Sequence, residues 1–543
     1  MVNIEQHTKT VIIGRPGTGK THYLMGLLDE IDPRHIIFIS FTRAAVQEAR
    51  KRAMQKWGIE AKELPYFRTI HSLCARLMGL KKEDFLPEKD VVAFWTAEGI
   101  PYDAGRDTRS LVEAEEIYAP HADDVKDGNR LMALLEFIKN IECKELGELQ
   151  DDELNDYISI YLSGIHFTDP RLDNLGAVAD IMHRFETMRS PRLHYADILL
   201  EFLKRPNVPE DVIGLIVDEF QDLSPLSYRV VKELEWRTSR QWYAGDPNQA
   251  IYSFMGASPD LLLGEWNSDD VQHVTLKKSY RLPAKIWDVA TGVINSHSPA
   301  DEQITDPLEV DVGGEAINIA TREEVLPLLN SLTGSCYILT RTNVRKREWM
   351  KELNSLGIPY RLRGQGKSLW QARLVAANNF VFCVKNNQPI DRASALTFLK
   401  ECLPAKPFLK RGSKSKLEEL LPKKDPLTAS DIHPLLAEGY TVRDILTPEA
   451  LRLSSEQRAV LTERLLRGAG LVSFNISLGT IHSHKGGEAS VVVYDAHLSN
   501  RLSADVATDP GREAEEARVA YVALTRARQE LWIVGQNNLL GVF

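Results

Sequence analysis

Gly14-Arg15-Pro16-Gly17-Thr18-Gly19-Lys20-Thr21 decides how the rest of the chain is read. It satisfies G-x-x-x-x-G-K-[ST] completely, follows the apolar run Val11–Ile13 and precedes a helix-like stretch from Thr21 to Glu30. A strand, a glycine-rich turn and a helix in that order make a phosphate loop. Gly14, Gly17 and Gly19, with Thr18 between them, let backbone N–H groups wrap phosphate oxygens, and the helix N-terminus adds its positive end. The expected roles are Lys20 on the β- and γ-phosphates and Thr21 as a ligand of Mg²⁺.

A second apolar run, Ile213–Val217, ends in Asp218-Glu219-Phe220-Gln221-Asp222. Two acids at a strand end beside a phosphate loop suit metal-assisted hydrolysis. Asp218 is expected to hold Mg²⁺, directly or through water, and Glu219 to orient and activate the attacking water. Together these motifs predict a Mg²⁺-dependent nucleoside triphosphatase and no more.

Further out, short apolar runs recur at Ile36–Ser40, Trp242–Ala244, Tyr337–Thr340, Ile476–Leu478, Val491–Tyr494 and Leu531–Val534, each followed by turn residues and a helix-like stretch. Strands alternating with helices predict an α/β fold with parallel sheets covered on both faces. Residues 81–195 and 369–469 lack strand signals and read as mainly helical. The expected organisation is two α/β domains, each interrupted by a helical insertion.

Composition is compatible with this. The 543 residues include 43% hydrophobic and 26% charged, which disfavours a fibrous or wholly disordered chain. No apolar run approaches the roughly 18–20 residues of a membrane span, and the N-terminal ten residues lack the pattern of a signal peptide. Five cysteines are scattered without a C-x-x-C, which argues against zinc, iron–sulfur and disulfide frameworks. A cytoplasmic location is expected. The net charge of −10 argues against a surface coated for nonspecific DNA binding, though it leaves room for a local basic track. The acidic stretch 142–156 and the basic stretch 400–424 read as solvated faces.

Asp218-Glu219-Phe220-Gln221-Asp222 resembles the D-E-x-Q-D box of superfamily 1 helicases, the UvrD/Rep/PcrA group. Other motifs of that series follow in order. Phe41-Thr42-Arg43-Ala44-Ala45 resembles motif Ia, and Thr69-Ile70-His71-Ser72 the next DNA-contacting motif. Gly245–Phe254 is similar to motif III, Ser279-Tyr280-Arg281 to motif IV and Thr340–Asn343 to its companion. Thr480–Glu488 resembles motif V and Tyr521–Ala527 motif VI.

The resemblance implies two RecA-like domains of the P-loop NTPase class. The first takes residues 1–80 and 196–284, with 81–195 inserted. The second takes 285–368 and 470–543, with a short accessory insertion at 369–469. It implies a γ-phosphate contact for Gln249, arginine fingers at Arg281 and Arg526, adenine stacking by Tyr280 and a nucleotide-side contact for Glu488. It implies a single-strand track of Phe41, Thr42, His71, Tyr252, Phe254, Arg341, Asn343 and His482, where stacking accepts any base. Gln6 is a weaker candidate for reading adenine.

Some residues depart from the family pattern. Met255 stands where an arginine is usual, which puts one polar link in doubt. His484, Gly487 and Ala489 stand where alanine, leucine and an aromatic are usual. The sixteen residues beyond Ala527 lead us to expect no fused nuclease. The implied activity is ATP-driven 3′-to-5′ translocation on single-stranded DNA with duplex unwinding, in replication, repair or recombination. The partners are single strands, single-/double-strand junctions and replication or repair proteins, with the chain a monomer or weak dimer. The alternative is a DNA-stimulated ATPase that remodels protein–DNA complexes without unwinding alone, in a phage or defence system.

Overall fold

The computed structural model describes residues 8–535 apart from 30, 42, 105–124, 163–166, 300–302, 305, 307, 320, 331, 333 and 365. Gln6 and Thr42 therefore lie outside the described residues. The chain divides into two compact units, one of residues 8–316 and 499–529 and the other of 317–498 and 530–535.

The first unit is built on a six-stranded sheet. Its strands are β1 (Thr8–Gly14), β2 (Ile36–Ser40), β3 (Phe67–Arg68), β4 (Gly214–Asp218), β5 (Arg240–Gly245) and β6 (Val271–Leu276), in the order β3-β2-β4-β5-β1-β6. Every pairing is parallel. Helices cover both faces, so β2 and β4 are buried at every residue. This explains their unbroken apolar runs in place of alternation. The order places β1 next to β5 and β5 next to β4, so three loops at the C-terminal ends of these strands share one edge of the sheet. Ligands in parallel α/β sheets bind at that edge. A two-stranded parallel ribbon follows, β7 (Lys278–Pro283) with β8 (Glu309–Val312).

The second sheet comprises β9 (Glu315–Ile319), β10 (Cys336–Thr340), β11 (Tyr360–Leu362), β12 (Ile476–Thr480), β13 (Ala489–Asp495) and β14 (Ala527–Val534), in the order β11-β12-β10-β13-β14-β9. The pairs β10–β12, β10–β13 and β11–β12 are parallel. Between β11 and β12 the helices Ala372–Lys385 and Ser455–Leu466 bracket a run of short helices and turns, and share one apolar core with the sheet.

In the first unit the helical region between β3 and β4 has a core of its own around Trp95, Leu134, Ile138 and Phe185. Beside it lies a buried ionic network. Lys139 Nζ donates to Asp197 Oδ1 at 2.6 Å and to Glu186 Oε1 at 2.8 Å, and Arg189 pairs with Asp197 at 3.1 Å. Burial alone would raise the Asp197 carboxyl, but Lys139 and Arg189 outweigh it and hold it below its ordinary value. Glu145, Glu186 and Asp197 lie close enough together to suggest a metal cage, yet the two cations already occupy the space between them. Lys139→Met should leave Asp197 and Glu186 with Arg189 in place of two cations and cost about 3–5 kcal/mol. Calorimetry should show a lower unfolding transition, with partial recovery in Lys139→Met/Asp197→Asn.

Candidate functional site

The phosphate loop joins β1 to the helix Lys20–Leu27. Gly17 and Gly19 take positive φ of 76° and 81°, conformations that glycine adopts without steric cost. At Gly17 the space is also closed, because a Cβ there would lie 2.4 Å from Arg281 Cβ. Thr18 Oγ1 donates to the Arg15 carbonyl at 2.8 Å, and Lys20 Nζ to the Gly14 carbonyl at 2.8 Å. Lys20 is thus drawn back over the loop, its ammonium at the place where phosphate oxygens would bind.

Thr21 Oγ1 donates to Asp218 Oδ2 at 2.8 Å. The hydroxyl and carboxylate expected to share a magnesium ion are therefore adjacent, and they are oxygen donors that suit such an ion. Burial, with Glu219 adding to it, pushes the Asp218 carboxyl up to about 6. A carboxylate that costly to ionise is well suited to a cation. Glu219 follows with φ of 56°, a strained conformation for a residue with a side chain. Its carboxylate accepts from Gln221 Nε2 at 2.7 Å, and Gln221 Oε1 accepts from the Asp246 N–H at 3.0 Å. Gln221 thus ties Glu219 to the loop after β5.

That loop carries Gln249. Its Nε2 donates to Asp246 Oδ2 at 2.9 Å, and its Oε1 accepts from Arg526 Nη2 at 3.1 Å. Arg15 reaches the same carboxylate, Nη1 to Asp246 Oδ1 at 3.0 Å, and Tyr521 donates to Oδ2 at 3.3 Å. On the other side of the phosphate loop, Ser279 Oγ donates to the Pro16 carbonyl at 2.9 Å and the Tyr280 N–H to the Gly17 carbonyl at 3.0 Å. These bonds set Arg281 against the loop. Tyr280 turns outward with 69% of its surface exposed, Lys278 Nζ lying over the ring at 5.8 Å from its centroid, and an exposed ring of this kind is one a base stacks on. Arg526 is only 1% exposed, and burial together with Arg281 lowers its guanidinium to about 10. It stays charged at neutral pH.

Lys20, Thr21, Asp218, Glu219, Gln249, Tyr280, Arg281 and Arg526 all belong to the first unit. The sequence reading did not single out Arg15, Gln221, Asp246, Ser279 or Tyr521 as site residues. Four of them lie inside motifs it quoted, and Arg15 occupies an unspecified position of the loop.

Three candidate strand-contacting aromatics form a row. The Phe41 and Tyr252 rings lie 5.1 Å apart, and Tyr252 meets Phe254 edge-on at 5.9 Å. Tyr252 is buried and supports the other two, which are half-buried. His71 stacks on Tyr195 at 3.7 Å, and burial pushes its pKa down to about 3, so it is neutral. Met255 and Phe254 pack against Val125, Ala133 and Phe137. The family's usual arginine at 255 is thus replaced by an apolar contact.

In the second unit Arg341 and Asn343 follow β10, and His482 lies in the tight turn after β12. The parallel register Thr340↔Thr480 puts these three at one edge of the sheet. Glu488 immediately precedes β13, whose Val491 pairs with Cys336, so it lies toward the opposite edge. The unusual motif V residues compensate one another. His484 is fully buried, bonds Ser477 Oγ at 2.9 Å and lies 4.6 Å from the Tyr337 ring, while a Cβ on Gly487 would come within 2.8 Å of the Tyr337 hydroxyl.

Comparison with known proteins agrees with this geometry. The UvrD/REP helicase N-terminal domain matches residues 2–268 and the UvrD-like helicase C-terminal domain residues 449–538, together more than half of the chain. The chain belongs to the UvrD-like helicase family. It is accordingly an enzyme of the ATP-dependent DNA helicase class, and its two parallel sheets are the RecA-like pair of that family. A probable DNA helicase II homolog of Mycoplasma capricolum is 22% identical over 98% of this chain and 82% of its own length. The ATP-dependent DNA helicase PcrA of Staphylococcus epidermidis is 22% identical over 97% of this chain and 81% of its own. PcrA of Staphylococcus aureus is 24% identical over 66% of this chain and 49% of its own. Among the described residues of this UvrD-like chain, no helix is long and apolar enough to cross a membrane.

Proposed function

We propose that the protein is an ATP- and Mg²⁺-driven motor that moves 3′ to 5′ along single-stranded DNA and unwinds duplex ahead of it. One observation carries the reading. Gln249, hydrogen-bonded to Arg526, lies on the same short loop as Tyr252 and Phe254. A loop that touches the terminal phosphate at one end and a stacked base at the other makes strand grip depend on nucleotide state.

In this reading Gly14, Gly17, Thr18, Gly19 and Lys20 cradle the phosphates, and Thr21 with Asp218 holds Mg²⁺. Glu219 takes the proton of the attacking water. Arg281 and Arg526 offset charge on the transferred phosphoryl group. Tyr280 stacks on the adenine, with Glu488 on the nucleotide side. Phe41, Thr42, His71, Phe254, Arg341, Asn343 and His482 form the strand track, with Tyr252 buried beneath Phe41 and Phe254 as their support, and the track reads no sequence.

The test is ATP turnover with and without single-stranded DNA, beside strand displacement on duplexes bearing a 3′ or a 5′ tail. Strong stimulation with displacement from the 3′ tail alone is expected. Displacement from the 5′ tail alone would overturn the direction. Stimulation without displacement would favour a translocase that clears or remodels protein–DNA complexes.

A further inference from the structure

The helix Pro510–Leu524 lies against the loop that follows β5, and four contacts run along it in order. Glu515 accepts a short hydrogen bond from Ser253 Oγ. Arg518 Nε donates to the Ala250 carbonyl at 3.1 Å. Tyr521 donates to Asp246 at 3.3 Å, and Arg526, just past the helix, to Gln249 at 3.1 Å. Residues 515, 518 and 521 are three apart and share a face. From Glu515 to the helix end at Leu524 the rise is roughly 13–14 Å at 1.5 Å per residue.

The two ends of this face have different neighbours. Arg526 and Tyr521 meet the phosphate side. Glu515 meets Ser253, which stands between Tyr252 and Phe254 and opens the tight turn Ser253–Met255. Glu515 is itself held by Arg512 Nη1 at 2.5 Å, and the neighbouring Glu513 by His297 at 2.6 Å. The helix is therefore fastened at its aromatic end by a charged hydrogen bond. Met255, packed among apolar side chains, contributes no such polar bond.

We infer that Glu515 is a positioning residue that couples the strand-binding aromatics to the nucleotide site through this helix. The inference rests on the function proposed above. A rigid helix that holds both ends of one loop moves them together. Releasing Ser253 lets the aromatic turn relax while the phosphate end keeps its geometry.

The experiment compares Glu515→Ala, Ser253→Ala, the double variant and Glu515→Gln with the wild type, each as the full chain. ATP turnover is measured without DNA and with oligothymidylate. Basal turnover and the KM for ATP should stay within about twofold. The maximal DNA-stimulated kcat should fall about tenfold in either alanine variant, the size of one charge-assisted hydrogen bond. The double variant should be no worse than either single one, since both remove the same bond. Glu515→Gln, which keeps an acceptor, should restore most of the stimulation.

Undiminished stimulation in Glu515→Ala would overturn the coupling alone. So would additive losses in the double variant, or a fall in basal turnover matching the stimulated one, which marks a purely structural role. A wild-type protein whose turnover ignores DNA would instead sink the helicase reading, and the coupling with it.

Discussion

Replacing Lys20 with alanine is expected to cut ATP turnover by about 10²–10³-fold, the usual effect of losing one preorganised contact to a developing anion. The side chain is 9% exposed and its ammonium sits 2.8 Å from the Gly14 carbonyl. No other ammonium lies among the described contacts of the loop, whose nearby cations are guanidinium groups, Arg15 within the loop and Arg281 and Arg526 beyond it. Arginine should not substitute, because a planar guanidinium cannot occupy a cradle shaped for a point charge. The loop's glycines, its bonds to Ser279 and Tyr280 and the aromatic row are untouched by the change. DNA affinity, read by fluorescence anisotropy, should therefore persist while phosphate release is lost. Near-normal turnover in Lys20→Ala would refute the assignment of this loop to the triphosphate.

The legible parts of this fold are those where burial leaves a continuous mark. β2, β4, β10 and β13 are covered on both faces, and each was visible as an apolar β-branched run that the structure only lengthens or shifts by a residue or two. The segments β6 and β7 gave no such mark. β6 is an edge strand whose residues are all half-buried or exposed, and β7 alternates around Ser279 and Tyr280. Neither reads as a strand in the sequence, although β7 carries the residues that brace the phosphate loop. The stretch 369–469 reads as helical and holds two substantial helices, but its prolines break the middle into short helices and turns of three to six residues.

The site divides in the same way. Lys20, Thr21, Asp218 and Glu219 are recognisable because local spacing makes their chemistry. Arg15 is not, because its partner Asp246 is 231 residues away and no local pattern joins them. The same holds for Tyr521, 275 residues from that carboxylate. What motif order supplied for Gln249 and Arg526 was a role for each. Their mutual hydrogen bond, and the helix that reaches Ser253, exist only in three dimensions.

Arg526→Ala is expected to lower the hydrolysis rate by about a thousandfold or more, the range in which supplied arginine fingers act, with a much smaller loss of ATP affinity. The reason lies in what its burial costs. Its guanidinium is fully enclosed and pressed by Arg281, which lowers it to about 10, yet at neutral pH it remains protonated. Nε donates to the Val522 carbonyl at 2.9 Å, while Nη2 serves Gln249 and Thr525. A buried cation fixed by the Val522 carbonyl, Gln249 and Thr525, and pressed by a second guanidinium, gains from an anion that arrives beside it. Charge that grows as the phosphoryl group transfers would gain most from it, so kcat should fall and the KM for ATP change little. Arg526→Lys separates charge from shape: it keeps the cation but not the fork that reaches Gln249 and the phosphate together, so recovery should be partial. Single-turnover hydrolysis beside nucleotide binding distinguishes these cases. If Arg526→Ala hydrolyses ATP at the wild-type rate, its bond to Gln249 is only a brace and the finger role falls.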